Sequence, residues 1–280
     1  MPTLYLLLIP FMYAYSSVGA RHVQRLGLNL YVVGGLNYFF SALFYATLYL
    51  QDPQPLTPLV FRVAVAVGLC FVVTYFFFAP TLHDRGVSIM AALCQLSALI
   101  PMLGSLLIWH EHPTVVRWAG AILCLVAMPL LSLDQGLTDK RLTWRKIVTF
   151  AGLVVFNGGV LLGLKWFDEL RAPGQLSGFM LTVFSTATLA MAVAWPLYQG
   201  RLGRGELLWG AAISVAYLGA SPLIVLALRH FEGVIVFPFA ESTALAMTVA
   251  FAALVWKEIP HRPGQLGILL VTIAAILINL

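Results

Sequence analysis

Along this chain of 280 residues, apolar positions come in runs of about twenty, broken by short stretches that hold the turn formers and most of the charge. A helix rises about 1.5 Å per residue, so about 20 apolar residues cross a hydrocarbon core about 30 Å thick. Ten such runs fit: 2–20, 28–50, 59–80, 86–108, 114–132, 146–165, 175–198, 207–229, 233–256 and 262–280. The connections, among them HDRG, HEHP, HFEG and the longer DQGLTDKRLTWRK, are too short to fold as separate domains. Unbroken runs such as IMAALCQLSALIPMLGSLLIW lack the alternation of a membrane-barrel strand. The pattern therefore predicts an all-α polytopic membrane protein with ten transmembrane helices.

Composition strengthens this reading. With 61% hydrophobic residues, 10% charged residues and a mean hydropathy of +0.93, the chain is excluded as a soluble enzyme, a nucleic-acid-binding module or a disordered segment. The net charge of +5 says little about ligands, because membrane proteins concentrate Lys and Arg in loops on one side. Cys70, Cys94 and Cys124 lie inside apolar runs without metal-site or disulfide spacing, and read as small packing residues. Residues 1–17 contain no basic n-region, so the first run reads as a span and not as a cleaved signal.

The chain also repeats itself. At a constant offset of 147 positions, His83 matches His230, Gly86 matches Gly233 and Val87 matches Val234. The same register pairs Trp109 with Trp256, Glu111 with Glu258, Pro113 with Pro260, Gly120 with Gly267 and Ala127 with Ala274. Trp, Glu, Pro and Gly recurring in order at loops and helix starts point to a duplication. Five spans per copy is an odd number, so the second copy enters the bilayer from the opposite side. The expected architecture is two inverted five-helix repeats around a midplane site, a plan common among secondary transporters.

The ten-span plan, with a Glu-x-Pro-x(6)-Gly element after spans 4 and 9 (EHPTVVRWAG and EIPHRPGQLG), resembles the ten-helix EamA-like branch of the drug/metabolite transporter superfamily. The resemblance implies one transport domain made of repeats at 1–139 and 140–280. It also implies a carrier of a small metabolite, commonly an exporter of amino acids or related compounds, and termini in the cytoplasm. Its cavity would be lined by parts of spans 1, 3, 4, 6, 8 and 9.

Among candidate functional residues Glu241 stands first. It lies eight residues past Gly233, about 12 Å into span 9, where an ionisable group costs about 2.5–3.5 kcal/mol and usually has a function. It is expected to bind a coupling proton or a substrate amine; the alternative is a neutral Glu that only hydrogen-bonds a neighbouring helix. Gln95, Tyr75, Asn157 and Tyr13 are weaker candidates for substrate contact, with Ser16, Ser17, Asn37, Tyr38 and Thr74 also polar at depth. Asn157-Gly158-Gly159 reads as helix packing before substrate contact. Pro101, Pro222 and Pro238 lie inside spans and are expected to kink helices near the cavity, since each removes a backbone hydrogen bond.

Glu111 with Pro113 and Glu258 with Pro260 read as structural hairpin caps, a carboxylate before a helix that starts with proline. His110-Glu111-His112 lacks the spacing of a zinc motif, and no metal or cofactor is implied. Arg62, Lys165 and Arg229 sit at span ends, where long cations snorkel to the headgroups. Nothing basic lies at the depth of Glu241, which favours cationic, zwitterionic or neutral solutes over phosphorylated ones.

The expected partners are a small-molecule substrate, protons and the lipid bilayer, with no nucleic acid, and the expected state is a monomer or weak homo-oligomer. No GxxxxGK[ST] loop is present, so a proton gradient or the solute's own gradient would supply the energy. A multi-pass protein of the bacterial inner membrane is expected. Orientation divides the arguments: five Lys/Arg lie on the side of the termini and eleven opposite, which places the termini outside, against the resemblance. Two other classes stay open: a membrane-embedded enzyme acting on a lipid, and a non-transporting partner of another membrane protein.

Overall fold

Apolar runs of this length satisfy their backbone hydrogen bonds internally, and the chain does so with helices alone. A computed structural model describes residues 2–133, 144–198, 200–256 and 262–278; within them the side chains at 2–3, 84–93, 95, 128–129, 131–133, 252–256, 275–276 and a few isolated positions lie outside the description. The helices are α1 (Pro2–Arg25), α2 (Leu30–Gln51), α3 (Pro58–Leu96), α4 (Leu99–Leu107), α5 (Val115–Leu133), α6 (Trp144–Glu169), α7 (Leu176–Val193), the short α8 (Trp195–Tyr198), α9 (Arg204–Leu228), α10 (Gly233–Trp256) and α11 (Arg262–Ile278). No strand occurs among the described residues. Among the described residues five stretches are long and apolar enough to cross a membrane: Leu30–Gln51, Pro58–His83, Ile147–Glu169, Leu176–Val193 and Arg204–Leu228. Shorter apolar helices cover Val115–Ala127, Gly233–Thr248 and Gln265–Ala274.

One boundary differs from the sequence reading. HDRG is expected to be a loop between spans 3 and 4, yet helix is continuous from Pro58 to Leu96. The contacts with α6 show that the polypeptide still reverses. Cys70 lies against Gly159, while the Cys94 carbonyl accepts a hydrogen bond from Asn157 Nδ2 at 3.4 Å. A straight helix would hold Cys70 and Cys94 about 36 Å apart, so α3 folds back between Leu82 and Cys94. Its first limb runs antiparallel to α6, with Phe77 against Gly152, and the continuation runs parallel, with Gly104 against Leu162 and Trp109 against Trp166.

The helix then breaks at Ser97–Ala98 and restarts as α4. Pro101 therefore stands in the first turn of α4, where its missing N–H has no intrahelical partner to lose, and not at the mid-helix kink expected of it. Asn157 holds the break from the side: its amide nitrogen donates to Ser97 Oγ at 2.5 Å as well as to the Cys94 carbonyl. Gly158 lets α6 come this close, since a Cβ there would meet Ile100 Cβ at 2.8 Å and the Ser97 carbonyl at 2.9 Å.

Pro222 lies inside α9 and leaves the Leu218 carbonyl without its helical donor. The Tyr45 hydroxyl on α2 donates to that carbonyl at 2.8 Å, so the freed group is satisfied by a neighbouring helix and not by the cavity. The helix pairing is regular: α1 packs on α9 and α10, α2 on α7 and α9, α3 on α6 and α7, α4 on α6 and α10, and α5 on α10 and α11. On α10, Val234, Ile235, Val236, Phe237, Phe239 and Ala240 are each at most 2% exposed, as expected of a helix apolar all round. That places Glu241 in the interior.

Candidate functional site

The run of buried residues on α10 ends at Glu241, which opens onto a cavity. Pro238 stands one turn earlier, and Ser242 Oγ donates to the Pro238 carbonyl at 2.6 Å, so this turn carries its polar atoms inside the helix. Glu241 is 8% exposed, and among the described residues its carboxyl has neither an ion-pair nor a hydrogen-bond partner. The cavity has about 120 Å³, room for several waters where about 10–15 Å³ admits one.

Aromatic rings make most of its wall. Tyr38 packs edge-on against Tyr75 and Tyr217, with ring centroids 6.1 and 5.9 Å apart, and Phe71 and Phe78 close the same cluster. Two hydroxyls are committed to the protein: Tyr75 donates to the Leu30 carbonyl at 3.0 Å and Tyr38 to the Phe71 carbonyl at 3.3 Å. Tyr13 and Cys94 lie within electrostatic range of the Glu241 carboxyl. Ser17, Thr74, Ser221 and Thr248 add hydroxyl groups, and the Thr74 Oγ1 is buried without a partner.

Four of the five expected contact residues, Glu241, Tyr75, Asn157 and Tyr13, thus line one cavity. The fifth, Gln95, falls within α3, but its side chain lies outside the described residues. Asn157 reaches the wall with its amide nitrogen already bonded to the α3–α4 break. The sequence reading missed Tyr217, Ser221 and Thr248; a polar or aromatic residue at mid-span was the available signal, and all three lie in spans 8 and 9. It also placed Cys94 among simple packing residues, whereas Cys94 lines the cavity.

A second feature lies about two turns of α10 from Glu241. Lys165, expected to snorkel outward, is 3% exposed at its side chain and sits between two carboxylates, with Nζ 2.7 Å from Glu111 Oε1 and 2.6 Å from Glu169 Oε1. The reason is local: α6 packs on α4 here, and the Trp109 ring lies 5.7 Å from the ammonium. Glu111 is not the cap of its own hairpin. Its Oε2 accepts from the Val234 N–H at 3.1 Å, at the N-terminus of α10, while α5 is capped by Thr114, whose Oγ1 accepts from Arg117 N. Pro113 correspondingly precedes that cap and does not occupy the first turn. Glu258 and Pro260 lie outside the described residues. The cluster borders a wider vestibule of about 780 Å³ that also holds Arg117, Asp168, Arg229 and Glu232.

Comparison with known proteins agrees with the helical fold. No curated protein sequence matches the chain. Twenty-seven solved chains match its structure. One, described only as the crystal structure of a protein, superposes with a TM-score of 0.74 over 96% of this chain and 94% of its own length, at 13% identity. Residues 1–133 match the EamA-like transporter family. The chain thus carries over residues 1–133 an EamA-like transporter domain, which belongs to the drug/metabolite transporter superfamily of multi-pass membrane proteins.

Proposed function

We propose that the protein is a ten-span secondary carrier that moves a small metabolite, of the amino-acid or amphiphilic-amine class, by alternating access. The observation that carries the reading is the largely apolar, aromatic-walled cavity onto which Glu241 opens, its carboxyl without a partner among the described residues. The two-repeat plan is supported by the helix pairing. Exchanging each span with its counterpart five spans later turns the α1–α9 pair into α6–α3 and the α2–α9 pair into α7–α3, and both pairs are present. It also maps the α2–α7 and α5–α11 pairs onto themselves. Such two-fold exchange is what inverted repeats at 1–139 and 140–280 require.

In this reading the vestibule side is shut. Between Glu232 and Glu241 the residues of α10 are packed without a gap, and Glu111 from the first half is tied to Lys165 and α10 of the second. Glu241 is reached from the other side, and a proton and the solute use its carboxyl in alternation, giving proton-coupled export in a bacterial inner membrane. The test is flux in proteoliposomes with and without a pH gradient. Glu241→Gln is expected to abolish proton-driven flux while the protein stays inserted and folded. Undiminished proton-linked flux in that variant would overturn the reading.

A further inference from the structure

The lining of the cavity narrows the solute further. Among the described residues it holds one carboxyl and no Lys, Arg or His. The nearest cation of α6, Lys165, is turned away into its two carboxylates, one residue beyond the lining Leu164. An amino acid in this space would find a partner for its ammonium and none for its carboxylate, and two carboxylates would share a low-dielectric site. The remaining polar groups include the hydroxyls of Tyr13, Ser17, Thr74 and Ser221, which can donate to a carboxylate but carry no charge to balance it. The Tyr75 and Tyr38 hydroxyls donate to backbone carbonyls, and the Asn157 amide nitrogen donates to Ser97 and Cys94.

What is left facing the space suits a cation. The Tyr38, Tyr75 and Tyr217 rings are held by edge-to-face packing, and Tyr38 and Tyr75 also by their hydroxyl bonds, so they present fixed π-faces and apolar edges. A cation over such a face gains about 0.5–2 kcal/mol beyond its attraction to a carboxylate. The Glu241 carboxyl and the Thr74 hydroxyl supply acceptors that no described side chain occupies.

Resting on the carrier reading, we propose that this cavity selects organic monocations, a protonated or alkylated amine on an apolar body, and rejects the corresponding zwitterionic amino acids. The discriminating groups are Glu241, which holds the positive charge, and the rings of Tyr38, Tyr75 and Tyr217, which surround it.

The experiment is a matched pair of solutes that differ by one carboxylate. Binding of phenethylamine and of phenylalanine to the purified full-length protein is measured by scintillation proximity, and uptake of each is followed in proteoliposomes. Phenethylamine is expected to bind saturably and at least about a hundredfold more tightly than phenylalanine, the factor that corresponds to placing an unpaired charge at bilayer depth. Glu241→Gln should abolish that binding, Glu241→Asp should retain part of it, and Tyr217→Leu should weaken it about tenfold. The Asp variant keeps the test decisive if the Gln variant does not fold. Equal or tighter binding of phenylalanine, or no saturable binding of either solute, overturns the proposal. Saturable amine binding without uptake supports the site and sinks the carrier reading instead.

Discussion

Glu241 and Glu111 are almost equally buried, 8% exposed as a residue and 11% at the side chain, yet their surroundings are opposite. Glu111 has a partner on each oxygen: Lys165 on one and the Val234 N–H on the other. Glu241 has a cavity. A folded interior tolerates a charge when its partners are built in, and the first carboxylate contributes to the fold in that way. The second lacks a partner among the described residues, which is the condition under which an incoming solute or proton completes the pairing.

The comparison is broken most severely at Lys165. Lys165→Met leaves Glu111 and Glu169 facing each other without the cation, and removing one member of a buried pair typically costs about 3–5 kcal/mol. Thermal unfolding in detergent micelles is expected to show a loss of that order. Adding Glu111→Gln should recover a substantial part of it, because the amide still accepts from Val234 N–H and the uncompensated charge is gone. If the single variant unfolds like the unsubstituted protein, the cluster is not what joins the two halves.

A smaller effect is expected at Tyr45. Tyr45→Phe leaves the Leu218 carbonyl, already deprived of its donor by Pro222, without a partner, and should destabilise by about 1–3 kcal/mol in the same assay. The change lies outside the cavity, so solute affinity should not move.

These two residues also show how much of the molecule was legible in advance. The helices were legible because twenty apolar residues in a row admit one solution in lipid, and Glu241 was legible because a carboxylate in such a run is conspicuous. Long-range partners were not. Nothing local to Tyr45 announces the Leu218 carbonyl 173 positions away, and Glu111 caps α10, 123 positions later, and not the helix that follows Pro113. Lys165 misled for the same reason: a cation at a span end reads as snorkelling until its two carboxylates, one of them 54 positions earlier, are brought alongside. The disagreement over orientation has this origin as well. Four of the five Lys/Arg counted on the side of the termini, Arg117, Lys165, Arg171 and Arg229, line the vestibule, and Lys165 and Arg117 are committed to ion pairs there. Cations used to build a site are poor witnesses to which side of the membrane they face.

The smallest change in stability is expected where the functional reading places the most weight. Glu241→Gln conserves shape and removes no protein partner, since none is present among the described residues, so its unfolding midpoint in detergent should match the unsubstituted protein to within about 0.5 kcal/mol. A loss comparable to that of Lys165→Met would mean that Glu241 is held by the protein after all, as Glu111 is, and the cavity would then lose its claim to be a site. An unchanged midpoint together with lost amine binding would separate the two carboxylates cleanly. The residue that contributes least to holding the helices together would be the one on which the solute depends.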